Sequence, residues 1–414
     1  MRAFKQVKSV VVMLAMAFVM TLACSAVVKA APAAPAKVTG VRQTAGDDDS
    51  LKLEWTAQLT RPYYKVELST DKVNWTTMDD GFTGNDRSIS GGVTAGTTYY
   101  ARVTAYAEED GVYAYGVPSD VIECVTAPNS APRNIKKIAC TTTSVTLTWD
   151  AVPGANYYQV LYGNDYAQVL YTTTNKVTVT KLAKNSSNSI KVYALRKSAA
   201  TGYVTNGYYF NYGTISNCKV TPAKVTGVDV DYYWFYLKEI SIVHTSSDAA
   251  DGYQTEVWTA YKNKDTKIKT VNSTWGNPDV KSTQFGKYRF FKVRVRAYTT
   301  LASGKKVYGA WSNWKYVCPE PGVRLTSTKK GMNVKFEKVA GADRYDVYVS
   351  NRQKSGYKKA GSTKKASFTV TKYGKKKLKK GKTYYFYVVA YNKVGKKYVS
   401  GEAGNANTCW YMKY

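Results

Sequence analysis

The sequence predicts an all-β chain, and three observations predict it. Runs such as SVTLTW (Ser144–Trp149) and FFKVRVRAY (Phe290–Tyr298) alternate apolar and polar residues at a period of two, as a strand with one buried face requires. Lysine, threonine, valine and tyrosine are abundant, while no comparable apolar pattern recurs at helical spacing. One strand-like element also returns along the chain at the spacing of a small domain.

The chain opens on a segment that reads as an export signal. MRAFKQVKS is basic, VVVMLAMAFVMTLACSAVV is apolar, and Val28-Lys29-Ala30 supplies a small-x-small cleavage pattern. Residues 1–30 are therefore expected to be a cleaved signal peptide, with lipidation at Cys24 or an uncleaved anchor as alternatives. No later stretch is apolar and long enough for a transmembrane segment, so the mature chain is expected to be secreted and held non-covalently at a surface, if at all.

The returning element is VTAGTTYYARVTAY from Val93, LAKNSSNSIKVYAL from Leu182, FGKYRFFKVRVRAY from Phe285 and LKKGKTYYFYVVAY from Leu378. The copies lie 89, 103 and 93 residues apart and end on alanines at one offset: Ala105, Ala194, Ala297 and Ala390. Upstream of each lies an alternating strand, ending at Trp55, Trp149, His244 and Phe336. A tyrosine follows at a similar distance: Tyr64, Tyr158, Tyr253 and Tyr345. In the last copy, Tyr384, Phe386, Val388 and Ala390 should point inward and Tyr385, Tyr387 and Tyr391 outward. The lysines of LKKGK should be solvated in the connection that enters the strand.

These residues resemble the fibronectin type III repeat, in the lysine- and tyrosine-rich style of Gram-positive bacterial surface proteins. The resemblance implies tandem immunoglobulin-like β-sandwiches with a core Trp ending strand B. It also implies a tyrosine corner at the entry to strand F. Trp55 and Trp149 match the first feature, and Val93–Tyr99 and Leu378–Tyr384 match the second. His244 and Phe336 depart at the Trp position, and Asn188 and Phe291 depart at the corner. Proline and small-residue breaks (AAPAAPAK, TAPNSAPR, TPAKVTG, CPEPGVR) then set four domains at 31–128, 129–223, 224–320 and 321–414.

Chemistry is thinly represented. His244 is the one histidine, and its place at the core Trp position favours a half-buried structural residue over a general base. The carboxylates of the first domain fall in turn-like stretches such as Asp47-Asp48-Asp49, without the loop spacing of a calcium site. A glycoside hydrolase pair or a catalytic triad has no supporting context, and no cofactor or metal is expected. Of the cysteines beyond the signal, Cys124, Cys218, Cys318 and Cys409 lie near domain ends, which suggests small buried residues. Cys124 and Cys140 could form one bridge across the first linker.

Charge is the sharpest signal. The last domain has 23 Lys and Arg against 4 Asp and Glu, whereas the first has 8 against 14. Attraction to a polyanion follows: a wall polymer, an acidic glycan, anionic lipid or extracellular nucleic acid. The acidic first domain could meet a basic domain of another copy, and solubility is the plain alternative. Candidate binding residues are Lys292, Arg294, Arg296, Tyr298, Trp311 and Trp314 in the third domain. In the fourth they are Lys375, Lys376, Lys377, Lys379, Lys380, Tyr385, Tyr387 and Tyr391. The expected role is non-enzymatic adhesion or spacing. Carbohydrate binding through Tyr and Trp platforms is the first alternative, and a hydrolase built on sandwich loops the second.

Overall fold

The computed structural model describes residues 31–205, 211–261, 264–400 and 409–414. The export-signal reading of 1–30 with Cys24 lies outside these residues. The fold is all-β and its named sheets are antiparallel. Among the described residues the helical pieces are two 3-10 turns, Asn164–Tyr166 and Thr283–Gly286, and no helix is long and apolar enough to cross a membrane.

One wiring recurs along the chain. Over residues 42–125, a three-stranded sheet joins Arg42–Gly46, Ser50–Glu54 and Asp86–Ser90. A larger sheet is built on the pairing of Tyr63–Ser69 with Thr98–Glu109, extended by Thr76–Phe82, Val112–Tyr115 and Ile122–Val125. A three-stranded and a larger sheet alternate in the same way over 136–219, 229–317 and 323–413, here called the second, third and fourth segments. Antiparallel pairing with one apolar face explains the alternation of the strands. In Thr383–Val394 the burial runs Tyr384, Phe386, Val388 and Ala390 inward with Tyr385, Tyr387 and Tyr391 between them. Each buried Phe or Val contributes about 1.5–3 kcal/mol by leaving water.

The sequence markers meet inside. Trp55 lies on Tyr64 with ring centroids 5.2 Å apart, Trp149 on Tyr158 at 5.2 Å and Phe336 on Tyr345 at 4.7 Å. His244 lies on Tyr253 at 4.2 Å, so the departing residue keeps an aromatic seat. Burial pushes the His244 imidazole below its ordinary pKa, and Nδ1 lies 3.1 Å from the Thr245 carbonyl, a structural arrangement. The four marker alanines are buried. At the corners, the Tyr99 hydroxyl accepts from Thr94 N–H at 2.7 Å and the Tyr384 hydroxyl from Lys379 N–H at 2.9 Å. Asn188 instead donates to the Cys218 carbonyl, and Phe291 is fully buried.

The bridge considered between Cys124 and Cys140 is not formed, since both are free thiols. Cys124 is sealed in the apolar interior, which pushes its thiol up to about 12. Cys140 sits near the Thr221 hydroxyl, 3.3 Å from its sulfur.

The chain divides into two compact units. The first holds the described residues up to 130 with 152–157 and 194–211, and the second holds the remainder. In the first unit, Arg196 donates to the Thr98 hydroxyl at 2.7 Å and to the Gly154 carbonyl at 2.6 Å. Glu123 accepts from the Ser198 hydroxyl and the Ala199 N–H, both at 2.8 Å. Gly154 has φ +77°, and a Cβ there would fall 2.5 Å from the Gly96 Cα, so only glycine fits.

A latch repeats two residues before three of the marker tyrosines. Asn156 Oδ1 accepts the Lys197 N–H at 2.7 Å, Asp251 Oδ2 the Thr300 N–H at 2.7 Å, and Asp343 Oδ2 the Lys393 N–H at 2.8 Å. Pro62 stands at the matching place of the first segment, where it brings no side-chain acceptor. Asp343→Ala is expected to cost about 1 kcal/mol, because the bond to the amide is exposed and its carboxylate is screened by water. Hydrogen exchange should show it as lost protection at Lys393.

In the second unit the latch joins a polar network. Lys137, itself buried, donates to the Thr299 hydroxyl at 2.7 Å, and Thr299 donates to Asp251 at 3.0 Å. Lys219 adds an ion pair to Asp251 at 2.8 Å. Burial pushes the Asp251 carboxyl up, but Lys219, Thr300 and Thr299 outweigh it and hold the pKa below the ordinary value. A depressed folded pKa gives stability that is present above the unfolded value and lost as pH falls through the folded one. On acidification below about pH 4, Thr300 and Lys219 resonances should therefore shift in wild type. They should not move in Asp251→Asn; identical titrations in both would refute the assignment.

Candidate binding surface

The third segment's outer face is a ladder of cations and rings. Strand Phe291–Thr300 presents Lys292, Arg294 and Arg296 on one side, and the chain after Lys306–Tyr308 lays Trp311 and Trp314 over them. The Arg296 guanidinium lies 3.9 Å from the Tyr308 centroid and 4.4 Å from that of Trp311. Arg294 lies 4.2 Å from Trp311 and 4.6 Å from Trp314, and Lys292 lies 4.6 Å from Trp314. Delocalised guanidinium suits such stacking.

Each cation also has a polar partner across the sheet. Arg294 pairs with Glu256 at 2.6 Å, Arg296 donates to the Gln254 amide oxygen at 2.6 Å, and Lys292 pairs with Asp265. Lys267 reaches the other Glu256 oxygen at 2.7 Å, and the Trp258 N–H donates to that carboxylate at 3.1 Å. Burial pushes Glu256 up, yet the bonds from Lys267, Arg294 and Trp258 prevail and keep its carboxyl below the ordinary range. Ring faces and charges are thus already engaged with one another. Glu256→Ala would leave Arg294 without its carboxylate, and is expected to destabilise this segment by about 1–3 kcal/mol in urea unfolding.

Tyr298 departs from its expected place. Parity puts it with Lys292, Arg294 and Arg296, but it is only 6% exposed. The edge strand Lys306–Tyr308 pairs Tyr308 opposite it, and the Lys306 ammonium closes over its ring at 4.1 Å. It is a packing residue, not an open platform.

The fourth segment differs. Its strand-face tyrosines stack among themselves: Tyr387 on Tyr348 at 4.7 Å, Tyr357 on Tyr387 at 4.8 Å and Tyr385 against Tyr411 at 5.7 Å. Tyr391 lies under Arg344 at 4.6 Å. The strand carboxylate of this face, Asp346, is shared by Arg344 and Lys359.

The lysine run behaves in another way. Lys372–Tyr373 and Lys376–Lys377 form a small hairpin around Gly374-Lys375, with Gly374 at φ +59° supplying the turn. The register sets Lys372 directly opposite Lys377 and Tyr373 opposite Lys376. Lys358 leans over the Tyr373 ring at 5.4 Å. Lys379 and Lys380 follow on the exposed connection, with Leu378 buried beneath. Among the described residues, none of Lys372, Lys375, Lys376, Lys377, Lys379 and Lys380 takes part in an ion pair. Sequence reasoning found the run but missed Lys358 and Lys372. The turn signal YGK was legible, whereas the approach of Lys358 depends on a neighbouring strand.

The same pairing of a three-stranded and a larger sheet recurs in each segment, with an aromatic pair packed inside it. Residues 130–204 match the model of the fibronectin type III domain. Over that stretch the chain is similar to a fibronectin type III domain. Similar solved structures include the FN1–FN3 domains of chicken CNTN1, at 17% identity over 69% of this chain and 99% of that one, with a TM-score of 0.27. A two-domain fibronectin type III segment of chicken tenascin is 15% identical over 43% of this chain and 98% of its own, with a TM-score of 0.24. No curated protein matches the chain. In the matched stretch, the aromatic seat is held by Trp149 and Tyr158, and its ring pair is the one the other segments repeat.

Proposed function

We propose that this is an exported, non-enzymatic adhesion or spacing protein of four fibronectin type III domains, divided at 128/129, 223/224 and 320/321. Its lysine-rich fourth domain holds an anionic polymer, such as a wall polymer or acidic glycan. One observation carries this reading: the hairpin that places Lys372 across from Lys377 amid Lys375 and Lys376, none of them ion-paired among the described residues. Like charges directly opposite in a ladder are destabilising, and a polyanion removes that cost while gaining the charges. The ladder of the third segment is the weaker candidate, because Glu256, Asp265 and Gln254 already hold its cations.

A second reading has its own observation. A cleft of about 660 Å³ is lined by Trp234, Tyr236 and Trp410, all at least 44% exposed, and such rings suit sugar faces. Salt separates the two. Binding of the full chain to a panel of anionic and neutral glycans at 50 and 200 mM salt should show steep loss on anionic members. Salt-insensitive binding confined to neutral glycans would overturn the polyanion reading in favour of the platform.

A further inference from the structure

The second unit contains a cleft of about 680 Å³ between the turn Thr283–Gly286, the loop after Gly252–Thr259 and Ala340 of the fourth segment. That volume lies in the range of small-ligand sites. Its walls carry hydroxyls (Thr259, Thr266, Ser282, Thr283), the Gln284 amide and the ring of Tyr261, with Lys264, Arg289 and Lys267, the last already paired with Glu256, as cations. Among the described residues, no carboxylate lines it.

Arg289 is the unusual member. Its backbone is pinned, since it bridges Ala340 in parallel register while Phe290 N–H donates to the Ala340 carbonyl and Ala340 N–H to the Tyr288 carbonyl. Its side-chain Nε–H is sealed from solvent and has no hydrogen-bond partner among the described residues. Arg289 also lines the cleft with no salt bridge among the described residues, and the planar fork of a guanidinium fits a carboxylate or phosphate in two-point fashion. The hydroxyls and the amide beside it offer partners for a polyhydroxylated backbone, and Tyr261 offers a face for it.

We propose that this cleft binds one oxyanion-bearing unit of a polyhydroxylated polymer, with Arg289 reading the anion and Thr283 and Gln284 the hydroxyls. The site rests on the anionic-polymer reading above and adds selectivity to it. The lysine hairpin senses charge alone, whereas the cleft distinguishes a sugar or polyol acid from a bare polyanion.

Calorimetry on the full chain tests it with three probes: a tetrameric uronide, a tetrameric glycerol phosphate and a short polyphosphate that has charge but no hydroxyls. Arg289→Ala should weaken binding of the uronide, the glycerol phosphate or both by about tenfold or more, and leave polyphosphate within twofold. Which of the two is affected tells carboxylate from phosphodiester. If Arg289→Ala loses its fold by circular dichroism, Gln284→Ala and Thr283→Val on the exposed turn decide instead, each expected to lower the same affinities about three- to tenfold. Wild-type affinity for both hydroxylated probes in all three variants would mean the cleft takes neither of them, and an equal loss for polyphosphate would mean that Arg289 contributes charge alone; either way the proposal falls. In that event polyphosphate binding that disappears in a triple Lys375, Lys376 and Lys377→Ser variant leaves the hairpin reading standing. Wild type that binds none of the three probes removes both.

Discussion

Replacing Lys375, Lys376, Lys377, Lys379 and Lys380 with serine lowers the affinity of the chain for a polyanion by about two to three orders of magnitude at low salt. Each lysine near a negatively charged surface contributes about 1 kcal/mol, less the part that screening and imperfect apposition remove. The fold should be unaffected. Leu378, which packs beneath the run, is retained, and the bond at the tyrosine corner comes from the backbone N–H of Lys379, which serine also supplies. The dependence of log affinity on log salt should flatten by about 0.7–0.9 for every phosphate that is no longer neutralised, as holds for nucleic acids. A variant that binds as wild type at 50 mM salt, with an unchanged slope, would move the polyanion site away from the hairpin. Removing the like-charge opposition of Lys372 and Lys377 should also raise the stability of this segment slightly, a gain that accompanies the loss of binding.

The second large effect is on stability. Trp149→Ala should destabilise the second segment by about 3–5 kcal/mol, because the indole is almost fully buried against Tyr158 and its removal leaves a cavity. That is a large share of the stability of one domain, so the second segment should unfold in a separate, earlier transition in urea. Trp149→Phe should cost far less. Phe336 fills the same seat on Tyr345, and the indole Nε1–H of Trp149 has no hydrogen-bond partner to lose among the described residues. Equal losses for the Ala and Phe variants would show that the hydrogen-bonding group, and not the ring, matters there. Intrinsic fluorescence and near-ultraviolet dichroism of the two variants would settle the comparison.

The parity of the strands was legible from single residues, because a period of two needs no knowledge of the partner. Trp55, Trp149 and the alanines at 105, 194, 297 and 390 are buried as that parity requires. What the parity cannot carry is the register across a sheet. Glu256 lies opposite Arg294, 38 positions away, and nothing near either residue announces the other. The same gap hid the cover of Tyr298, whose exposure is decided by Tyr308 on the edge strand. Expecting an open row of cations and tyrosines there amounted to treating a strand as if it stood alone. In the hairpin at Lys372–Lys377 the partner is only five positions away, so turn chemistry alone held the information. The Arg289 cleft was the least legible feature, because Ala340 and Arg289 belong to different segments and meet through a parallel bridge.

The Asx latch sits two residues before the marker tyrosine at Asn156, Asp251 and Asp343, with Pro62 in its place in the first segment. In the latched segments, the residue next to the latched amide reaches outward: Arg196 to Thr98, Thr299 to Lys137, and Asn392 to the Ala260 carbonyl at 2.9 Å. Ala107 occupies that position in the first segment and offers no polar group. The latch is thus shared, while the residue beside it meets a different element each time: Thr98 opens the strand Thr98–Glu109, Lys137 lies in Lys136–Thr141 and Ala260 follows Gly252–Thr259. The Pro62 version could not be transplanted to an interior slot without first acquiring an acceptor and a polar side chain.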